Sequence, residues 1–137
     1  MDDQDSKFAS LRSGSFDPAA LWERLNGDGE LLRDLVGVFS MESPPMLAQI
    51  HTAIEQAAFA DLQNFSHKLK GSALQFSGIK AAALAASLEK LGAQKSLEGA
   101  EQIFAELEQE IARLTHALLT MAERGGSSAL ADRMKGN

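Results

Sequence analysis

His67 sits beside two lysines and a glycine in the stretch His67-Lys68-Leu69-Lys70-Gly71-Ser72-Ala73. An imidazole nitrogen can attack an activated phosphoryl group and hold it covalently. Its ordinary pKa, near ~6.5, leaves much of it neutral and nucleophilic at physiological pH. Such transfer needs in-line positioning and compensation of charge on the equatorial oxygens more than bond-making by the protein. At ~100° per residue, Leu62, Phe65, Leu69, Ser72, Ala73 and Phe76 fall in one apolar band. His67 lies roughly opposite that band, and Asn64, Lys70, Gly71, Leu74 and Gly78 lie around it. If the band faces a core, His67 faces water. Lys70, one turn on, can supply part of the charge compensation.

The neighbours of His67 read as a docking surface. A glycine inside a helix costs about 1 kcal/mol relative to alanine, so Gly71 needs a reason, and close approach of a partner's backbone is one. Lys68 and Lys70 form a local basic feature in an acidic chain, suited to an acidic active site. Leu74 is apolar but falls on the exposed side, beside Asn64 and Gly78. Ser72 falls on the buried side, where it is expected to bond within the helix or to a neighbour. Met46, Phe65 and Phe76 are read as core. His51, on the flank of its apolar stripe, and His116, on a polar face, lack the Lys-Gly context and are read as ordinary histidines. The three histidines lie on different predicted helices without the paired spacing of a metal site, so no metal is expected.

The pattern His67-x-Leu69-Lys70-Gly71-Ser72-Ala73 resembles the signature of histidine phosphotransfer (HPt) domains, the intermediates of multistep two-component relays. Leu31-Leu32-Arg33-Asp34-Leu35 is similar to that family's early helix. Phe59-Ala60-Asp61-Leu62 resembles its lead into the histidine helix, and Leu84 to Gly92 its following helix. The resemblance spans roughly residues 17–122. One departure stands out. The family usually has glycine ten residues after the histidine; here that residue is Ser77, and glycine follows at Gly78. The resemblance implies His67 as phosphoacceptor. It implies receiver domains of response regulators or hybrid histidine kinases as partners. The phosphorylated aspartate and magnesium would belong to the receiver, so this chain would carry no cofactor of its own.

The elements that must position His67 follow from helical punctuation. Asp17-Pro18 pairs an N-cap acid with proline at the first helical position, predicting a short helix to about Leu25. Asp28 can cap the next, which carries Leu31, Leu32, Leu35, Val36 and Phe39. Ser43-Pro44-Pro45 is expected to restart or kink it. Met46, Leu47, Ile50 and Ile54 continue the stripe, and a break is expected near residues 57–59. Gly78 is expected to end the His67 helix as a left-handed residue. A further helix from about Lys80 to Leu91 is expected to close at Gly92. Ser96 is a candidate cap for the last helix, where Phe104, Leu107, Ile111, Leu114, Leu118 and Met121 form one seam. No strand alternation and no internal repeat is visible. The fold expected is all-α: an antiparallel four-helix bundle with an additional short N-terminal helix. Residues 17–124 form it, residues 1–16 are read as a flexible lead or linker, and residues 125–137 as a flexible tail.

Bulk properties bound the function. At 137 residues and 45% hydrophobic, the chain is long enough for one core. It has no cysteine, which removes disulfides and thiolate chemistry. A net charge of -6 argues against nucleic acid, which needs a basic face. No apolar run approaches the ~20 residues that span a bilayer, and the N-terminus lacks a signal-like stretch. A cytoplasmic monomer that contacts neither membrane nor nucleic acid is expected. No nucleotide-binding glycine loop is visible, so the reading is a relay intermediate without kinase activity of its own. The alternatives are a non-phosphorylated helical adaptor that binds a receiver or kinase by shape, and a metal- or cofactor-binding bundle.

Overall fold

The computed structural model describes residues 17–124, and the expectations for residues 1–16 and 125–137 lie outside the described residues. Five helices follow in order: α1 (Pro18–Arg24), α2 (Gly29–Glu55), α3 (Phe59–Gln75), α4 (Ile79–Ala93) and α5 (Ala100–Glu123), with no strand among the described residues. Asp17 and Asp28 cap as their residue types require. Asp17 Oδ1 accepts from the Ala20 amide at 3.1 Å, and Asp28 Oδ1 from the Leu31 amide at 3.0 Å. Short connections make α2 to α5 antiparallel neighbours in a ring, α2 on α3, α3 on α4, α4 on α5 and α5 on α2, with α3–α4 the most extensive pairing.

α1 to α4 end the same way. A left-handed residue follows each: Asn26, Ala57, Ser77 and Lys95, with φ between 52° and 59°. After α3 the Gly78 amide bonds the Ala73 carbonyl at 2.8 Å and the Ser77 amide the Leu74 carbonyl at 3.0 Å. That is the Schellman pattern, in which amides beyond the helix donate to the orphan carbonyls of its last turn. The left-handed residue is thus Ser77, not Gly78, which has φ −83° and precedes α4. Ser77 occupies the position where the family usually has glycine. It bears the left-handed strain, and Arg24 of α1 donates to its hydroxyl at 2.6 Å.

Three other boundaries differ from expectation. α2 runs unbroken through Pro44 and Pro45, and Ser43 is a buried residue of its inner face rather than a cap. Both prolines are exposed, while Phe39, Ser43 and Ile50 keep one buried stripe on either side of them. Gly92 does not close α4 but lies inside it, pressed on α3: a Cβ there would stand 2.6 Å from the Gln63 nitrogen and 2.8 Å from the Phe59 oxygen. Ser96 does not cap α5; its Oγ accepts from the Glu98 amide at 3.2 Å, and Gly99, at φ 75°, is the residue before the helix.

The core runs the length of the bundle. Leu107, Ile111, Leu114 and Leu118 of the predicted α5 seam are buried, and Met121 is partly so. Phe76 is core, its ring tilted against that of Phe39 with centroids 5.1 Å apart, and Met46 and Phe65 are partly buried against the core. Glu110, off the seam, is also buried, at 1% exposure. Arg113 bonds one of its carboxylate oxygens and Lys80 lies 3.9 Å away, while Oε2 has no partner among the described residues.

Candidate functional site

α3 carries His67 outward, its side chain 66% exposed. The ring is not free. Its Nδ1 lies 2.8 Å from Oε2 of Glu89 on α4, and the other oxygen, Oε1, is 2.7 Å from Nζ of Lys70. A carboxylate clamp therefore joins the two residues that the α3 pattern marked. Glu89 is ionised: the Lys70 ammonium bonded to it holds its carboxyl below the ordinary value of 4.5, burial pulls the other way, and His67 adds to the lowering. An ionised carboxylate only accepts, so Nδ1 must carry the hydrogen and donate it. In the neutral ring the lone pair is then on Nε2.

The close approach at Gly92 makes this clamp possible. Gly92 is one turn beyond Glu89, against Gln63, which is one turn before His67. The antiparallel register that seats Gly92 on Gln63 seats Glu89 beside His67.

Asn64, Lys68 and Gly71 are exposed on α3, and Leu74 is 47% exposed. A Cβ at Gly71 would meet nothing within 4 Å, so the space beside the ring is open. Gly78 does not belong to this face. It is buried, and a Cβ there would meet Leu114 at 2.7 Å and the Ala73 carbonyl at 3.1 Å, so its glycine serves the packing of α4 on the core. Lys70 is half-buried and held by Glu89 rather than projecting freely. Ser72 is only partly buried; the fully buried serine is Ser66, whose hydroxyl has no partner among the described residues.

Arg24 fixes the lower edge of the site. Both terminal nitrogens of its guanidinium donate to the Leu74 carbonyl at 3.2 Å, tying α1 to the last turn of α3. On α4, Ile79 adds an exposed apolar side chain at the same end of the bundle as Leu74.

Glu89 was invisible to the motif because it lies on another helix. The signal was nonetheless present: on the α4 wheel it falls within the arc of Ala82, Ala85, Leu88 and Gly92, and a charge on a buried arc needs a partner. Among the described residues no group of three or more acidic or histidine side chains is assembled to hold a metal ion. Among them, too, no helix is long and apolar enough to cross a membrane.

Comparison with known proteins agrees with this arrangement. No curated protein matches the sequence. Among solved structures, the chain is similar in fold to histidine-containing phosphotransfer protein B from Pseudomonas aeruginosa PAO1, with a TM-score of 0.74 and 19% identity over 80% of this chain and 95% of that one. The Hpt domain model matches residues 34–117, which include His67, Lys70 and Glu89. With the bundle, the motif and that match together, the chain belongs to the Hpt domain family.

Proposed function

We propose that His67 accepts a phosphoryl group from the phosphoaspartate of one receiver domain and passes it to the aspartate of another. The observation that carries this reading is the Glu89 clamp, which leaves Nε2 of an exposed ring with its lone pair toward solvent. Nε2 attacks phosphorus as the aspartyl oxygen–phosphorus bond breaks, and the electron pair of that bond returns to the receiver carboxylate. The product is a phosphoimidazolium that keeps its Nδ1 hydrogen. Glu89 offsets the positive charge that develops on the ring, so no proton has to leave, and the same step runs backward toward a second aspartate.

Lys70 has two uses in this account. At rest it anchors Glu89; when the phosphoryl group arrives, its ammonium is one turn away and adds positive charge beside the equatorial oxygens. Lys68, Asn64, Gly71 and Leu74 form the surface that meets the receiver. The receiver supplies the magnesium that its own acidic pocket binds. The protein contributes a nucleophile and a docking face, and no nucleotide chemistry.

The test is incubation with a phosphorylated receiver. Wild type should gain an acid-labile phosphoryl group as the receiver loses its own, while His67→Gln, an exposed change with little effect on the fold, should gain none. Transfer to the variant would remove His67 from the role. A wild type that binds the receiver and takes no phosphoryl group would leave the adaptor reading.

A further inference from the structure

The α2–α5 seam lies across the bundle from His67, because α3 and α4 each pack between α2 and α5 around the ring. It holds an open groove of about 830 Å³. Leu47 and Ile111 give it an apolar floor, and Phe104 closes one end, stacked on His51 with centroids 4.9 Å apart. Leu119, at the other end, is one of the large apolar side chains left exposed.

Its carboxylates are one-sided, while the imidazoles of His51 and His116 and the hydroxyls of Ser40, Ser43 and Thr115 line it from both helices. Glu101 and Glu108 stand on the α5 wall, and no lysine or arginine lines the groove. Glu108 has no ion pair among the described residues, and Glu101 has only His51, at 3.7 Å. Ser43 also lines the groove, at 2% exposure. An apolar trough with two carboxylates on one wall and no lysine or arginine matches a ligand that is apolar on one face and cationic at the edge.

We propose that this groove binds an amphipathic basic helix of a protein partner. Along α5 the groove runs from Glu101 to Leu119, a length of about 27 Å, which takes a helix of roughly 18 residues. Glu101 and Glu108 are two turns apart, about 10 Å, so the partner presents two cations seven residues apart beside an apolar stripe. The side chains of Ala48, Ala105 and Ala112 are small enough to let the two backbones come close. The site is separate from His67 and does not rest on its phosphorylation: a partner seated here leaves the α3–α4 face open, so two proteins can be held at once.

The probe is a synthetic 18-residue helix-forming peptide, about five turns long, with a leucine stripe and two lysines seven apart. Its controls are the same peptide with glutamates for the lysines and a scrambled peptide of equal composition. Nitrogen-15 spectra of the full chain should shift at Ala48, His51, Ala105 and Ala112 and not around His67. Glu101→Gln combined with Glu108→Gln should weaken binding about tenfold, the loss expected for two rim pairs. The glutamate peptide should bind at least as weakly as that variant does. Equal affinity for the double variant, equal affinity for the scrambled peptide, or shifts centred on His67 would each overturn the proposal. So would sedimentation showing a peptide-free dimer that Ala112→Arg dissociates, because a second copy would then fill the groove.

Discussion

Alanine at Gly92 and alanine at Gly71 should move stability in opposite directions, although both glycines lie inside exposed-edged helices. At Gly92 the new Cβ would stand 2.6 Å from the Gln63 nitrogen and 2.8 Å from the Phe59 oxygen. Ordinary carbon contacts begin near ~3.5 Å, so α3 and α4 must part by roughly 0.8 Å, and backbone atoms cannot rotate away. Overpacking of this kind costs about 1–3 kcal/mol, against about 1 kcal/mol gained in helix propensity. The net should be a loss of up to about 2 kcal/mol, or a melting temperature lower by up to roughly 8 °C for a domain of this size. The same parting would carry the 2.8 Å contact of Glu89 with His67 to the edge of hydrogen bonding, so transfer should slow as well. At Gly71 nothing lies within 4 Å of the new Cβ. There the propensity gain stands alone, and the melting temperature should rise by about 4 °C. Paired thermal melts followed by circular dichroism read both effects. A Gly92→Ala variant as stable as Gly71→Ala would refute the close-packed register that places Glu89 at the histidine. Extending the change to Gly71→Gln keeps most of the stability gain but fills the open space, so receiver binding by calorimetry should weaken while the melt stays raised.

Glu89→Gln keeps an acceptor oxygen for the ring but removes the charge, and single-turnover transfer should slow without vanishing. Its pH dependence is fixed in sign. The Glu89 carboxyl is lowered in the fold, so the stability it adds is present above about 4.5 and lost as pH falls below that value. The stability gap between wild type and Glu89→Gln, from urea melts, should therefore be constant near neutrality and close in acid; a gap that widened in acid would contradict the clamp. Lys70→Ala should slow single-turnover transfer several-fold, because it removes the anchor of Glu89 and a cation near the phosphoryl oxygens but not the nucleophile. Arg24→Ala should cost about 1 kcal/mol, from its lost bonds to the Leu74 carbonyl and the Ser77 hydroxyl, and a melting temperature equal to wild type would leave α1 without a part in holding the site.

What the sequence makes legible is what is local and periodic. Asp17 and Asp28 cap because a short acceptor precedes an apolar stripe, and the α5 seam is buried because its spacing admits one face. His67 could be placed opposite the core from one helix alone. Contacts between helices are a different matter. Gly92 follows an apolar run and looks like a terminator, yet its missing Cβ serves the approach of α4 to α3. Gly78 likewise looks like the left-handed end of α3, whereas Ser77 takes that conformation and Gly78 packs on Leu114. Pro44 and Pro45 break local rules that the continuous stripe of α2 overrides. Glu89 needed the register between α3 and α4, which depends on Gly92 and cannot be read from either helix by itself.

The proposed relay requires His67 to carry the phosphoryl group on Nε2 while Nδ1 stays bonded to Glu89. Phosphorus-31 and nitrogen-15 spectra of the full chain, recorded after incubation with a phosphorylated receiver and magnesium, test this directly. One phosphohistidine is expected, with phosphorus coupled to Nε2 of His67 and the Nδ1 hydrogen retained. Phosphorus on Nδ1, on another histidine, or on no histidine of a chain that demonstrably binds the receiver would contradict it.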